Sequence, residues 1–317
     1  MKKILIMGGS GFIGKNLSLK FSKIFTVTST YFENKPKEKQ FLKKNIKWIK
    51  IDLSNSKEVK KILKNNYDYI IQAAAFTAGV KVMINDPYSF IAKNAIMNSI
   101  ILKNVAQSKT KHFIFLSCTV MYHHSKKSLR EKDFDYYKTI NRAYEGIAYT
   151  KLYVENLCRY YSKTSKIRFT ALRHSNIYGP YDKFFSEKSH FVPATLSKFL
   201  SKKKIINIWG SGEEKRDFLF IEDLISAIKK IFNKQRNSFE IFNVSYGKSY
   251  SIKEIVNLTN KISTNKKILI FDKIKPTLKI NILVNSNKLK KLTGWKPKIS
   301  VNDGITKTFR WAKKNYL

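Results

Sequence analysis

A glycine-rich turn set directly behind the first apolar run constrains this chain more than any other feature. Lys3 to Met7 is a short apolar stretch, and Gly8-Gly9-Ser10-Gly11-Phe12-Ile13-Gly14 follows at once, ahead of a helical stretch through Leu17, Leu19 and Phe21. Gly8, Gly11 and Gly14 stand at the spacing G-x-x-G-x-x-G. In a strand-turn-helix unit the first glycine permits the tight turn and the second lets backbone amides approach a pyrophosphate. The third lets the helix pack closely on the strand, and the helix N-terminus faces the phosphates. A glycine triplet alone is weak evidence. At the opening of a βαβ pattern it predicts a dinucleotide site that includes Phe12 and Ile13.

The rest of the first half supports that context. Apolar strands are expected at Phe25 to Thr30, Ile46 to Ile51, Tyr69 to Ala75, His112 to Ser117 and Arg168 to Arg173. Helical stretches alternate with them. One opens at Asp86-Pro87, a capping acid with proline at the first helical position, and carries Ile91 to Val105. Another runs from Gly146 to Tyr161. Beyond Ser175 short strands and turns alternate irregularly, and Asp217 to Phe232 reads as helix. The expected fold is α/β: a doubly wound, parallel-sheet Rossmann domain over 1–175, to which 215–235 returns, and a smaller α/β substrate-binding lobe over 176–317.

Charge is the competing signal. The chain has 62 basic residues against 22 acidic ones, a formal +40, but only eight of the basic residues are arginine. Lysines such as Lys57, Lys60, Lys61 and Lys64 fall on presumed outer helix faces, so a solvated surface accounts for most of the charge. No aromatic-interleaved basic motif supports a specific nucleic-acid partner. No apolar run reaches the ~20 residues of a membrane span, and the N-terminal run lacks a cleavage site. Cys118 and Cys158 are too few for a disulfide framework or zinc site, so no metal and a reduced, cytoplasmic setting are expected.

Cofactor choice rests on the end of the second strand. Val27 to Phe32 contains no acid to accept bonds from a ribose 2′-hydroxyl, and Lys35 and Lys37 follow shortly. That favours NADP, with NAD the alternative. Asp52-Leu53, after the third strand, is placed to meet the adenine edge, although an acid there often only caps a helix.

At this point the chain resembles a family, the extended short-chain dehydrogenase/reductases that act on nucleotide sugars, over nearly its whole length. The resemblance is carried by the glycine turn, Asp52-Leu53, Ala73-Ala74-Ala75, Pro87 with Asn94, and the strand ending at Ser117-Cys118. Arg173-x-x-Asn176-x-Tyr178-Gly179-Pro180, Arg216-Asp217-Phe218 before Glu222-Asp223-Leu224, and Gly294-Trp295-Lys296-Pro297 carry it further. Within the family the GDP-L-fucose synthase branch, NADPH-dependent 3,5-epimerase/4-reductases, is most similar. Asn176 to Phe184 followed by Ser189-His190-Phe191-Val192-Pro193-Ala194, Trp209-Gly210-Ser211-Gly212, and Ala78-Gly79-Val80 point there.

The resemblance implies roles. Gly8, Gly11, Phe12, Ile13, Gly14, Asp52, Leu53, Ala73, Ala74, Asn94, Lys151 and Asn176 would hold the cofactor. His190 would be the epimerisation acid, and His190, Trp209 and Arg216 would meet a nucleotide sugar, GDP-linked by preference. A homodimer through the Ile91 to Val105 helix and the lysine-bearing helix is implied as well. The departures are equally specific. Lys151 matches the family lysine, which lowers a tyrosine pKa so that the phenol can exchange a proton during hydride transfer. Four residues earlier stands Ile147, and Tyr144 is the preferred substitute because it shares a helical face with Lys151. Where the family polarises the sugar oxygen with Ser or Thr, counting back from Tyr122 gives Cys118, flanked by Ser117 and Thr119. Val120 replaces the second epimerisation residue, a cysteine. Four functions compete: the NADPH-dependent reductase/epimerase, an NAD-dependent nucleotide-sugar epimerase or dehydrogenase, a catalytically impaired dinucleotide binder, and nucleic-acid binding.

Overall fold

Seven runs of β-branched and aromatic residues pair side by side and in parallel. The computed structural model describes residues 1–76, 87–125, 127–275, 277 and 281–317, and only the backbone of 87–89. Asp86 and Ala78-Gly79-Val80 lie outside the described residues. The strands in chain order are β1 Lys3–Met7, β2 Thr26–Tyr31, β3 Ile46–Lys50, β4 Tyr69–Gln72, β5 His112–Cys118, β6 Arg168–His174, β7 Asn176–Tyr178, β8 Ile205–Trp209, β9 Lys215–Phe220, β10 Phe239–Val244, β11 Ser249–Ser251 and β12 Ile268–Asp272. The large sheet has the order β10-β6-β5-β4-β1-β2-β3, with every pair parallel. The chain therefore reverses its direction of winding between β1 and β4. Ligands of such sheets bind at that switch, beyond the strand C-termini.

Helices cover both faces, so most strand positions are buried whichever way they point, except in the edge strand β3, where Lys47 and Lys50 are exposed. They are α1 Phe12–Phe21, α2 Ser56–Leu63, α3 Pro87–Ala106, α4 Glu145–Thr164, α5 Phe191–Leu200, α6 Ile221–Lys234, α7 Ile252–Ile262, α8 Asn287–Thr293 and α9 Val301–Tyr316. Ile4 and Ile6 of β1 face Leu17 and Phe21 of α1 and the apolar stripe of α6. Leu5 and Met7 face Val59, Ile101 and Val154 of α2, α3 and α4.

The Rossmann sheet stands, with two refinements. Tyr69 to Ala75 was expected as one strand, but β4 stops at Gln72, whose side-chain oxygen takes the Ala74 N–H at 3.0 Å and draws the chain out of the ladder. Asp217 to Phe220 is strand, not helix: Phe218, Leu219 and Phe220 are buried, and β9 pairs with β7 and β11. Helix begins only at Ile221. Beyond 175, β11-β9-β7 and β12-β8 form two small sheets, while β10 joins the large one. Trp295, buried, bonds Ser226 Oγ at 2.9 Å, and Asp223 accepts the backbone N–H groups of Lys298 and Ile299, which ties the chain end to α6.

Candidate active site

The glycine turn is a cradle that only glycine can build. Gly8 has φ +74°, and a Cβ there would lie 2.5 Å from Ala74 Cα. At Gly14 a Cβ would lie 2.1 Å from the Gly8 carbonyl oxygen. Gly11 is the N-cap of α1 and offers no side chain to its first-turn amides, so the N–H groups of Phe12 and Ile13 stay open to an anion. Thr30 at the end of β2 accepts the Gly8 N–H at 2.9 Å, which fixes the turn against the neighbouring strand. These features fit the pyrophosphate of a dinucleotide.

The other expected cofactor residues surround that cradle in different ways. Ala73 and Ala74 are half-buried just past β4. Asn94 of α3 holds this segment by donating to the Phe76 carbonyl at 2.9 Å and accepting the Phe76 N–H at 3.0 Å. Asp52 accepts the Ser54 N–H at 2.8 Å, and Asn55, not Asp52, caps α2. Leu53 is packed in the core beneath. Asn176 opens β7 and donates to the Asp217 carbonyl at 3.0 Å.

At the ends of β5 and β6 the polar groups converge. Lys151, one turn before Glu155 on α4, donates to the Leu116 carbonyl at 2.7 Å and lies 4.7 Å from the centre of the Phe115 ring. Burial lowers its pKa, opposed by Cys118 and Glu155. Burial pushes the Cys118 thiol up, with Lys151 pulling the other way, so the sulfur stays protonated near neutrality. Ser117 is committed elsewhere: its hydroxyl donates to Glu155 at 2.6 Å. Thr119 is buried beside it.

Glu155 anchors this corner. Both its oxygens accept from Arg173, the shortest contact being 2.7 Å, with both side chains almost fully buried. Arg173 also donates to the Tyr122 hydroxyl at 2.9 Å, and Tyr122 donates to Asn243 at 2.8 Å. Burial pushes the Tyr122 phenol up to about 12, so Tyr122 is a structural tyrosine.

Two titratable groups went unnoticed in the sequence. His174 follows Arg173 and pairs across the sheet with Cys118; its Nδ1 contacts the Ser175 carbonyl at 2.8 Å. Burial lowers its pKa to about 4, and both Lys151 and His190 add to that, which places all three within electrostatic reach. Asp182 is buried and lies 3.8 Å from His190, the N-cap of α5. The only signal was their position in the chain, His174 directly after Arg173 and Asp182 within Asn176 to Phe184.

Tyr144 is half-buried and is the N-cap of α4, at the end of a 3-10 turn over Arg142–Tyr144. Seven residues separate it from Lys151, about 10 Å of helix rise, one turn more than an i,i+4 pair would have. Tyr149 points to solvent. Trp209, exposed, ends β8 on a separate small sheet, and Arg216 lies in β9 opposite Tyr250 of β11. Beside the cradle, a cavity of about 290 Å³ is lined by Ser10, Gly11, Phe12, Lys15, Asp182 and Lys183 among others. Among the described residues no helix is long and apolar enough to cross a membrane.

Comparison with known proteins gives the family and the fold. The model of the NAD dependent epimerase/dehydratase family matches residues 4–245. The chain is 28% identical to GDP-L-colitose synthase of Yersinia pseudotuberculosis over 315 residues, covering 98% of this chain and 97% of that protein. It is 30% identical to GDP-L-fucose synthase of Sinorhizobium fredii over 266 residues, 82% of this chain and 84% of that one. In structure it is similar to UDP-glucuronic acid 4-epimerase of Bacillus cereus, solved with UDP-glucuronic acid and NAD, with a TM-score of 0.85 and 23% identity over 99% and 100% of the two chains.

Proposed function

The chain belongs to the NAD dependent epimerase/dehydratase family, and from that premise we propose that it is an NADPH-dependent reductase/epimerase of a GDP-linked 4-keto sugar. The observation that carries this reading is the cluster of Lys151, Cys118, His174 and His190 at the C-terminal ends of β5 and β6 and the head of α5, the side of the sheet on which the glycine cradle lies. When bound, the dinucleotide supplies the hydride. The chain's own residues bind, orient and move protons. Gly8, Gly11 and Gly14 with the first turn of α1 hold the pyrophosphate, and Asn94 keeps the segment after β4 in place beside it. Strand β2 ends without an acid and Lys35 and Lys37 are exposed nearby, which supports a 2′-phosphate.

Lys151 orients the reacting ribose and sugar oxygens from its tether on Leu116. Cys118 and Thr119 line the end of β5 as donors, because the thiol stays protonated. His190 works on the carbon beside the keto group, and Arg216 and Trp209 meet the nucleotide diphosphate. With Ile147 unable to transfer a proton, Tyr144 supplies the phenol. The exposed Ile96 of α3 and Tyr149 and Tyr153 of α4, helices that pack on each other, favour a homodimer through this pair.

The test is NADPH oxidation with GDP-4-keto-6-deoxymannose and related keto sugars, with Tyr144→Phe and Ile147→Tyr measured beside the native chain. Turnover that falls at least ten-fold in Tyr144→Phe supports the full assignment. Absence of NADPH oxidation with every keto sugar sinks it, and NAD retained through purification points instead to an epimerase that re-reduces its own intermediate.

A further inference from the structure

His190 and Asp182 form an arrangement that the reaction above does not explain by itself. His190 opens α5, and its side chain is 61% exposed, whereas that of Asp182 is 1% exposed. Asp182 Oδ1 accepts the Lys183 N–H at 2.8 Å and stands 3.8 Å from His190 Nδ1. Its Oδ2 is buried with no hydrogen-bond partner among the described residues. A buried carboxylate oxygen without a donor is costly; the His190 ring approaches the other oxygen, Oδ1, at a distance longer than a hydrogen bond, which a small turn of the exposed imidazole would shorten. We infer that Asp182 is the positioning carboxylate of His190, holding Nδ1–H toward itself so that Nε2 is the atom presented to the cleft.

Other titratable groups stand around the pair. Lys151 and His190 both act electrostatically on buried His174. On the Asp182 side stand Lys183, itself influenced by Lys188, and the Tyr316 phenol; the Lys15–Glu38 pair lines the same cavity. In the donating direction the Nε2–H bond breaks and the electron pair of the sugar enolate takes that proton as a new C–H bond. A neutral Nδ1–H imidazole is left, and solvent water restores the lost proton. Asp182 touches neither sugar nor cofactor in this scheme and acts only through His190.

The inference rests on the reading that His190 meets the sugar, so its test has an arm that does not need activity. In the ¹⁵N NMR spectrum of the full-length native protein, His190 is expected as the Nδ1–H tautomer, shifting toward a mixture in Asp182→Asn. A dominant Nε2–H tautomer in the native protein overturns the inference, whether or not any variant folds. The second arm is a double-mutant cycle in the keto-sugar assay with Asp182→Asn, His190→Asn and both together. Asp182→Asn should lower kcat roughly ten-fold with KM changed less than two-fold, and should cost nothing further once His190 is gone. Equal losses in both backgrounds mean a merely structural aspartate and overturn it. Inactive native protein sinks the proposed function instead and leaves the tautomer to decide on the pair.

Discussion

Glu155 is the residue whose loss should be felt most. Its oxygens accept from Arg173 Nε at 3.1 and 3.2 Å and from Nη2 at 2.7 Å, and Ser117 adds a fourth bond at 2.6 Å. Burial opposes the charge on Arg173, yet Glu155 and Tyr122 together hold its pKa above the ordinary arginine value. Glu155→Gln keeps the shape and one acceptor, so Ser117 stays satisfied, but it leaves a buried guanidinium without its counter-charge. Removing one partner of a buried pair costs about 3–5 kcal/mol. Unfolding entropy of about 2.1 cal/mol/K per residue makes that a fall in Tm of roughly 4–8 °C for a chain of 317 residues. Urea unfolding followed by fluorescence and circular dichroism should show the loss in both probes, because the pair ties α4 to β6 within the large sheet. Replacing both partners, Glu155→Leu with Arg173→Met, should recover most of it. Tyr122 keeps its acceptor in Asn243, and adding Ser117→Ala removes the buried hydroxyl that would otherwise lose Glu155. A Glu155→Gln protein within about 1 kcal/mol of native, or a double variant worse than the sum of the singles, would refute the reasoning.

Two further outcomes follow from the same structure. Gly14→Ala puts a Cβ 2.1 Å from the Gly8 oxygen and 2.7 Å from Gly9 Cα, so the turn must open; calorimetry should show NADPH binding weakened at least ten-fold, with stability lowered by about 1–3 kcal/mol. His112 is fully buried, its Nδ1 has no hydrogen-bond partner among the described residues, and burial, helped by Arg168 and Arg236, lowers its pKa to about 3. The unfolded chain binds that proton near pH 6.5, so this contribution to stability is intact above pH 6.5 and is lost as pH falls toward 3, about 2 kcal/mol of it by pH 5. Buried His174 adds to the same slope. Urea unfolding at pH 7 and pH 5 should show a smaller difference in His112→Gln than in the native chain; an equal difference would count against the assignment.

The six strands from β1 to β6 were legible because each is a short run of apolar or β-branched residues bounded by turn residues, buried along its middle except in the edge strand β3, where Lys47 and Lys50 are exposed. The glycine cradle was legible because its backbone needs glycine at fixed spacing. The strand β10 was not: it lies at the sheet edge, half of it is only partly buried, and Glu240 interrupts it while pairing with Lys288. The Asp217 carboxylate was equally hidden. It accepts the N–H groups of Tyr246 and Gly247, some 30 positions away, so nothing local announces that it is a structural acid. Lys151 could be found by its match to a motif, whereas His174 and Asp182 could not, since proximity across β6 and α5 is a property of the fold.

The basic surface and the basic site now separate on physical grounds. Most of the 62 lysines and arginines stand in water, where a pair such as Lys20 and Glu222, both well exposed, contributes little. The cations at the strand ends are held instead: Lys151 on a carbonyl, Arg173 on a buried carboxylate. The two proposed ligands, each carrying one diphosphate, would be drawn by the first set. Val120 and Ile147 stand where the resemblance implies a thiol and a phenol, so in the reaction proposed above proton transfer falls to other groups. Those groups are Tyr144, Cys118, Thr119, Lys151 and His190, with Glu155 and Asp182 behind them. Such a site depends on where its buried carboxylates sit, and that placement distinguishes it from a merely basic surface.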